Sequence, residues 1–425
     1  MPGAHTEVAV VGAGIAGLSA ARQLSAAGLR VVLLEARDRI GGRILTARPD
    51  PSTDASTLPI ELGAEFVHGR PPELLDLIGE AGLTLYEREG EFVCYENGQL
   101  SDCDFFHEAF SVLDDLPDSP DLPFAEFLSQ KHLPEHLARQ VTGYVEGFNA
   151  ADVARIGTAA LRKQQQAEDS IEGDRSLRVV EGYDRLPGFL LDRFLASAGQ
   201  LHLNTPATSI HWSPGEVRVT TANPAFPEIH ATRALITLPL GVLQSNAVPI
   251  SPAPQQALAA IGKLAMGTAT RITLSFRARF WESAAPNLSF LLAQEKVPAA
   301  WWTAAPNPSP TLTGWVAGPR ALSAPTGAGL KDHALATLAA IFNRSDLDQM
   351  LISYHTYDWQ SDPFSRGAYS YAPAGALHAS DDLSIPVENT LYFAGEHTDT
   401  TGHWGTVHAA LRSGLRAAGQ ILGKR

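Results

Sequence analysis

The sequence predicts an α/β chain of two domains, one organised on a parallel sheet and the other a mixed α+β unit. Three observations predict it. Residues 8–43 read as strand, glycine-rich turn, helix, strand and acid. Residues 73–194 change to helical apolar spacing, and alternating strands return after them. The 425-residue chain, 44% hydrophobic and 18% charged, is long enough for two cores.

Val8-Ala9-Val10-Val11 is a buried strand, and Gly12-x-Gly14-x-x-Gly17 follows it directly. Gly12 allows the tight turn, Gly14 lets a pyrophosphate approach the backbone, and Gly17 lets the helix sit close on the sheet. Ala16 stands in the helix's first turn, where unpaired N–H groups and the helix dipole favour phosphate. Val31-Val32-Leu33-Leu34 is the second strand, and Glu35 at its end sits where a carboxylate accepts ribose hydroxyls. The unit is therefore Rossmann-like and dinucleotide-binding. Ala36-Arg37-Asp38-Arg39-Ile40-Gly41-Gly42-Arg43 adds a second glycine pair and two guanidinium groups for the same phosphates. This extension resembles the fingerprint of FAD enzymes of the glutathione-reductase-like superfamily.

The net charge of −14 argues against nucleic acid and anionic membrane surfaces. Cys94 and Cys103 are the only cysteines; there is no CxxC and no metal-ligand set, so neither a structural disulfide nor a metal site is expected. Met1 to Thr6 is too short and polar for a signal peptide, and no apolar run of about 18 residues exists to span a membrane. Cytoplasm is the default location, and oligomeric state is not readable.

Leu58-Pro59-Ile60-Glu61-Leu62-Gly63-Ala64-Glu65-Phe66-Val67-His68-Gly69 follows a turn-rich loop at 50–57. Successive small residues at Gly63 and Ala64 suit backbone lying against a flat ring. The block resembles a segment of flavin amine oxidases, closest to polyamine oxidases. The resemblance implies that Gly63, Ala64, Glu65 and Phe66 pass over the flavin and that His68 lies near the substrate tunnel. Thr205-Pro206-Ala207 matches the place where the family contacts adenine through backbone, which makes Ala207 a candidate. Thr237-Leu238-Pro239-Leu240-Gly241 resembles the family's crossing between domains.

Met266-Gly267-Thr268-Ala269-Thr270-Arg271-Ile272-Thr273-Leu274-Ser275-Phe276 alternates, so it predicts a strand with one core face. It resembles a family block in which a Lys holds a water beside flavin N5 and assists reaction with oxygen. Arg271 stands in that Lys position, bulkier, forked and always charged. Residues 307–329, rich in Pro, Ala and Gly, predict a loop. Trp359-x-x-Asp362-Pro363-x-x-x-Gly367-Ala368-Tyr369 resembles the block that carries a flavin-linking Cys in monoamine oxidases. Here that position is Ala368, which implies non-covalent FAD, with Trp359 beside the cofactor and Tyr369 as one wall of an aromatic cage. Phe393-Ala394-Gly395-Glu396 ends a strand, and an amphipathic helix begins near Thr406. Gly395, Glu396, Gly405, Thr406 and Val407 are its implied flavin contacts, with N–H groups facing the N1/O2 edge. The second cage wall falls at His403 or Trp404.

The expected function is oxidation of an amine by an FAD enzyme. Hydride passes to flavin N5, the imine hydrolyses to a carbonyl compound, and oxygen becomes hydrogen peroxide. Related alternatives are a desaturase of the carotenoid-desaturase or protoporphyrinogen-oxidase kind, an L-amino-acid oxidase, or a flavoprotein without turnover. The expected FAD domain comprises residues 1–72, 195–243 and 385–425, and the substrate domain 73–194 and 244–384.

Overall fold

The computed structural model describes residues 6–50, 58–103, 105–117 and 119–423; most of the turn-rich loop expected at 50–57 lies outside them. Thr6–Val11 is the middle of an eight-stranded sheet. It pairs in parallel with Val31–Leu34 on one side and Glu228–Ile236 on the other. Gln200–His202 extends the first side, and Leu391–Phe393 also lies parallel to Glu228–Ile236. An antiparallel pair, Glu216–Thr221 and Ala207–Ser213, extends the far side, and the short strand Ile250–Ser251 lies parallel at its edge.

The central strand is apolar from Val8 to Val11 because both faces are covered there. Val8 and Val10 face one core, made with Leu18 and Leu24 of helix Ile15–Ala26 and Leu411 of helix Val407–Ile421. Ala9 and Val11 face a second core with Ile236, Ala257 and Leu383. Helices Pro72–Glu80, Arg185–Ala196 and Gln255–Lys263 pack on these same layers. These three helices lie largely outside the segments 1–72, 195–243 and 385–425 expected for the FAD domain.

A second, seven-stranded sheet runs from Leu351–Thr356 through Ala269–Phe276, Thr311–Ala317, Ala300–Trp302 and Leu288–Leu292 to the hairpin Glu91–Glu96 and Gln99–Asp102. Two readings are corrected here. Residues 307–329 are not a loop: Thr311–Ala317 is an interior strand, its alternation masked by Pro- and Ala-rich flanks. Ala269–Phe276 is buried at all eight positions rather than on one face. Ile272 and Leu274 pack with Leu330 and Leu338 of helix Gly327–Phe342. On the other face a polar layer forms, with Thr273 hydrogen-bonded to Thr313 (2.9 Å) and Arg271 beyond it.

Cys94 and Cys103 form a disulfide, contrary to expectation. The hairpin turn at Asn97-Gly98, both with positive φ (51° and 80°), sets Cys94 opposite Ser101 and brings the two Cα atoms to 5.0 Å. Among the described residues no helix is long and apolar enough to cross a membrane, and no His/Cys/Asp/Glu group could hold a metal.

Candidate active site

One cavity of about 1440 Å³ extends from the glycine-rich turn to the helices of the substrate half. That exceeds the ~300–1,000 Å³ of an ordinary small-ligand pocket, so it has room for a cofactor and a substrate together. Its first end is the dinucleotide cradle. Gly14 precedes helix Ile15–Ala26, which carries no side-chain cap and no acid in its first turn, so its N–H groups are open to an anion. A Cβ built on Gly14 meets no protein atom within 4 Å, whereas one on Gly17 would lie 2.0 Å from the Gly12 carbonyl and one on Gly12 2.6 Å from Thr237 Oγ1. Gly12 and Gly17 are small because protein crowds them; Gly14 borders open space in the cavity.

Glu35 is buried and lines the cavity; its carboxylate accepts from the Ala13 N–H (2.8 Å) and the Arg37 N–H (3.0 Å). These bonds tie the acid to the turn and hold it in place for a ribose. Ala16, Ala36, Gly41, Gly42 and Ala207 line the same end. Arg37 and Arg43 also line it but reach across the fold. Arg37 donates to Asp362 (2.7 Å) and Ser365 (2.9 Å), and Arg43 to the Ala368 carbonyl (2.7 Å) and Glu396 (3.0 Å). They clamp the Gly41-Gly42 segment to the C-terminal third of the chain.

Midway, Gly63, Ala64, Glu65 and Phe66 form one wall. Trp359 donates to the Leu62 carbonyl (2.8 Å) and stands beside Gly63. The Glu65 carboxylate is buried and accepts from Arg271 (2.6 Å), Arg178 (2.6 Å) and the Trp302 indole (3.1 Å). Burial pushes its pKa up, but the Arg178 and Arg271 charges outweigh that and hold it below the usual carboxylate range. Arg271, 4% exposed, also donates to the Gly63 carbonyl (2.9 Å), while its Nε–H is buried without a partner among the described residues.

Opposite, Tyr369 donates its hydroxyl to the Phe148 carbonyl (2.7 Å). The Gly405 backbone lies flat on its ring: a Cβ there would sit 2.7 Å from a ring carbon, at a φ of 77°. Glu396 fixes that passage, accepting from the Gly405 N–H (3.0 Å) and the Ser370 hydroxyl (2.6 Å). Trp404, Gly405, Thr406 and Val407 line the cavity with Gly395 and Glu396. Helix Val407–Ile421 is capped by Thr406, whose hydroxyl accepts from Ala409 N–H. His403 is not among the lining residues; its ring bonds to the Ala167 carbonyl (3.0 Å) and Thr401 (2.9 Å). His68 lines the cavity with its ring edge-on to Phe148 at 5.5 Å. Burial, reinforced by the Arg88 charge, lowers its pKa to about 4, so it is neutral at pH 7.

A family model described as flavin containing amine oxidoreductase matches residues 15–168 and 107–422. The chain belongs to this family. Polyamine oxidase 2 of Arabidopsis thaliana is 30% identical over 453 residues, covering 97% of this chain and 87% of that protein. Lysine-specific histone demethylase 2 of Homo sapiens is 28% identical over 98% of this chain and 53% of its own length. The fold matches that of putrescine oxidase bound to putrescine, with a TM-score of 0.85 at 21% identity over the full length of both chains. It also matches cyclohexylamine oxidase from Brevibacterium oxydans IH-35A, at 0.82 and 20% over 99% of each.

As a member of the flavin amine oxidoreductases the protein is an enzyme that oxidises an amine with FAD held non-covalently. The open space at Gly14, the uncapped helix end and the anchored Glu35 fit that cofactor. Ala368 lines the cavity without a nucleophile, and both cysteines are in the disulfide. Sequence reading missed the far chamber of this amine oxidoreductase. Tyr144 and Phe148 of helix Glu135–Asn149 and Glu168 of helix Thr158–Asp169 line it. Their one sequence signal is the i, i+4 spacing of Tyr144 and Phe148, which any amphipathic helix shares.

Proposed function

We propose that the enzyme oxidises a small neutral amine at its α-carbon and passes the electrons to oxygen. The observation that carries this reading is the continuity of the cavity. The space that fits the dinucleotide runs unbroken past Tyr369 into a chamber walled by Phe66, His68, Tyr144 and Phe148. Bound FAD supplies the oxidant, taking hydride from the amine to leave an imine that water hydrolyses to a carbonyl compound, with oxygen ending as hydrogen peroxide.

The chain's own residues bind, orient and dry the site. Tyr369 is pinned at both its hydroxyl and its ring face, so it presents one fixed wall to the amine. His68, neutral at pH 7, adds no charge beside the reacting nitrogen and leaves its lone pair free. Trp302 and Phe66, edge to face at 5.6 Å, close the side next to Arg271. Arg271 takes the place at which the family carries Lys, and we assign it the support of the oxygen step.

A carboxylate-bearing amine is the second reading, because Arg88 lines the cavity between Phe92 and Phe290 (4.8 and 5.1 Å) with its Nε–H unpartnered among the described residues. Peroxide release from monoamines, polyamines and amino acids separates the two. Amines turn over under the first reading. Turnover of amino acids alone transfers the assignment to Arg88, and flavin reduction without peroxide removes oxygen as the acceptor.

A further inference from the structure

The loop that brings Trp404 and Gly405 to Tyr369 is organised by one acid. Asp399, 2% exposed, lies between strand Leu391–Phe393 and helix Val407–Ile421. One of its carboxylate oxygens accepts from three successive backbone N–H groups, those of Thr401 (3.2 Å), Gly402 (3.1 Å) and His403 (3.0 Å), and from the Thr401 hydroxyl (2.6 Å). The Asp399 carbonyl accepts from the Trp404 indole (2.9 Å), which also donates to the Ser380 hydroxyl (3.0 Å). The other carboxylate oxygen lies 3.6 Å from Arg412 of helix Val407–Ile421. Arg412 in turn pairs with Glu73 of helix Pro72–Glu80 and donates to the Thr401 hydroxyl and to His403 Nδ1 (3.1 Å). Hydrogen bonds to an ionised carboxylate are the strong ones, so the turn is fixed at its centre.

The same loop grips the substrate half. His403 Nε2–H donates to the Ala167 carbonyl (3.0 Å), near the end of helix Thr158–Asp169. The Arg412 bond to Nδ1 fixes that tautomer. Burial, and after it the Arg412 charge, lower the His403 pKa, so the ring is neutral at pH 7. Lys163 of the same helix stands over the Trp404 ring at 5.5 Å, and a Cβ on Gly402 would lie 2.9 Å from the Lys163 carbonyl. Ala160, Leu161 and Gln164 of this helix line the cavity. The loop is thus held between helices of both halves, and at its end the Gly405 backbone lies on the Tyr369 ring.

We propose that Asp399 and Arg412 are positioning residues for amine oxidation, fixing the 399–405 loop so that Trp404 and the Gly405 backbone keep Tyr369, and the amine it faces, in the reacting position. This rests on the reading of Tyr369 as the amine's wall. Asp399→Ala retains FAD but slows reduction of the flavin by an amine about tenfold to a hundredfold, the effect of roughly 1 Å of misplacement. Reaction of the reduced flavin with oxygen changes less. Asp399→Asn returns most of the lost rate, because its amide oxygen still accepts from the three N–H groups. Arg412→Met leaves those backbone bonds in place; it slows the same step by less and serves where Asp399→Ala does not fold. A second readout needs no turnover. tert-Butylamine has no α-hydrogen, so it binds without being oxidised, and flavin absorbance follows its titration. Its Kd is about tenfold weaker in Asp399→Ala and close to the wild-type value in Asp399→Asn. Wild-type reduction rate and Kd in FAD-loaded Asp399→Ala, whatever its Tm, make Asp399 structural and overturn the proposal. Equal losses in flavin reduction and in the oxygen reaction overturn it too. A wild-type flavin that neither tert-butylamine nor any oxidisable amine perturbs removes the reading of Tyr369 as the amine's wall, and this assignment with it.

Discussion

Gly14→Ala yields a protein that folds but binds FAD more weakly. Gly14 has φ −73° and ψ 180°, a conformation any residue adopts, and a Cβ there meets no protein atom within 4 Å. The apo protein therefore keeps its Tm. The methyl enters the space left for the pyrophosphate, an overlap costing about 1–3 kcal/mol and weakening FAD roughly tenfold to a hundredfold. Gly17→Ala behaves in the opposite way, because its Cβ would lie 2.0 Å from the Gly12 carbonyl. It lowers the apo Tm before any cofactor is added. Thermal melts of the apo proteins and a fluorescence titration with FAD check both. Unchanged FAD affinity in Gly14→Ala would mean that the cofactor does not pass over this turn.

The second large effect is at Arg271 and Glu65. Removing either leaves a buried charge short of its partner, so Arg271→Met and Glu65→Ala each cost about 3–5 kcal/mol. Glu65→Ala is the worse, since it strands Arg178 as well as Arg271. The double variant loses less than the sum, as groups in one network do; denaturant melts of the four proteins give the coupling. Function divides differently. Both terminal nitrogens of Arg271 are engaged, by Gly63 and Glu65, so a bidentate grip on a substrate carboxylate is not open to it. Arg271→Met therefore slows the reaction of reduced flavin with oxygen more than it slows flavin reduction, and Arg271→Lys keeps or raises the oxygen rate. Stopped-flow kinetics of the two half-reactions check this; flavin reduction that collapses in both variants would return Arg271 to the substrate.

The dinucleotide half was legible in sequence because its constraints are local. Strand, glycines, helix and Glu35 follow one another, and Gly17 answers to the Gly12 carbonyl within the same turn, although Gly12 itself answers to the distant Thr237. The amine half is assembled from segments far apart. Tyr369 meets Phe148 across 221 positions, and Arg271 meets Glu65 across 206. Asp399 looks like any solvated acid in a polar turn until the fold brings backbone N–H groups and Arg412 onto it. The choice between His403 and Trp404 could not be made from sequence for a geometric reason; in the fold Trp404 lines the cavity and His403 does not. At a helix entrance each residue turns the side chain by about 100°, and here the chain puts backbone at Gly405, not a ring, against Tyr369. The disulfide was readable in principle: Asn97-Gly98 is a strong hairpin signal, and pairing the flanking strands would have drawn Cys94 and Cys103 together.

The central claim is that this cavity oxidises an amine with bound FAD. Anaerobic mixing of the purified, FAD-loaded enzyme with a panel of monoamines and diamines, followed by flavin absorbance and analysis of the carbonyl product, tests it most directly. The account predicts that at least one amine bleaches the flavin within a single turnover and yields carbonyl product equal to the FAD present. A flavin that stays oxidised with every amine, in a protein that binds FAD normally, would contradict it.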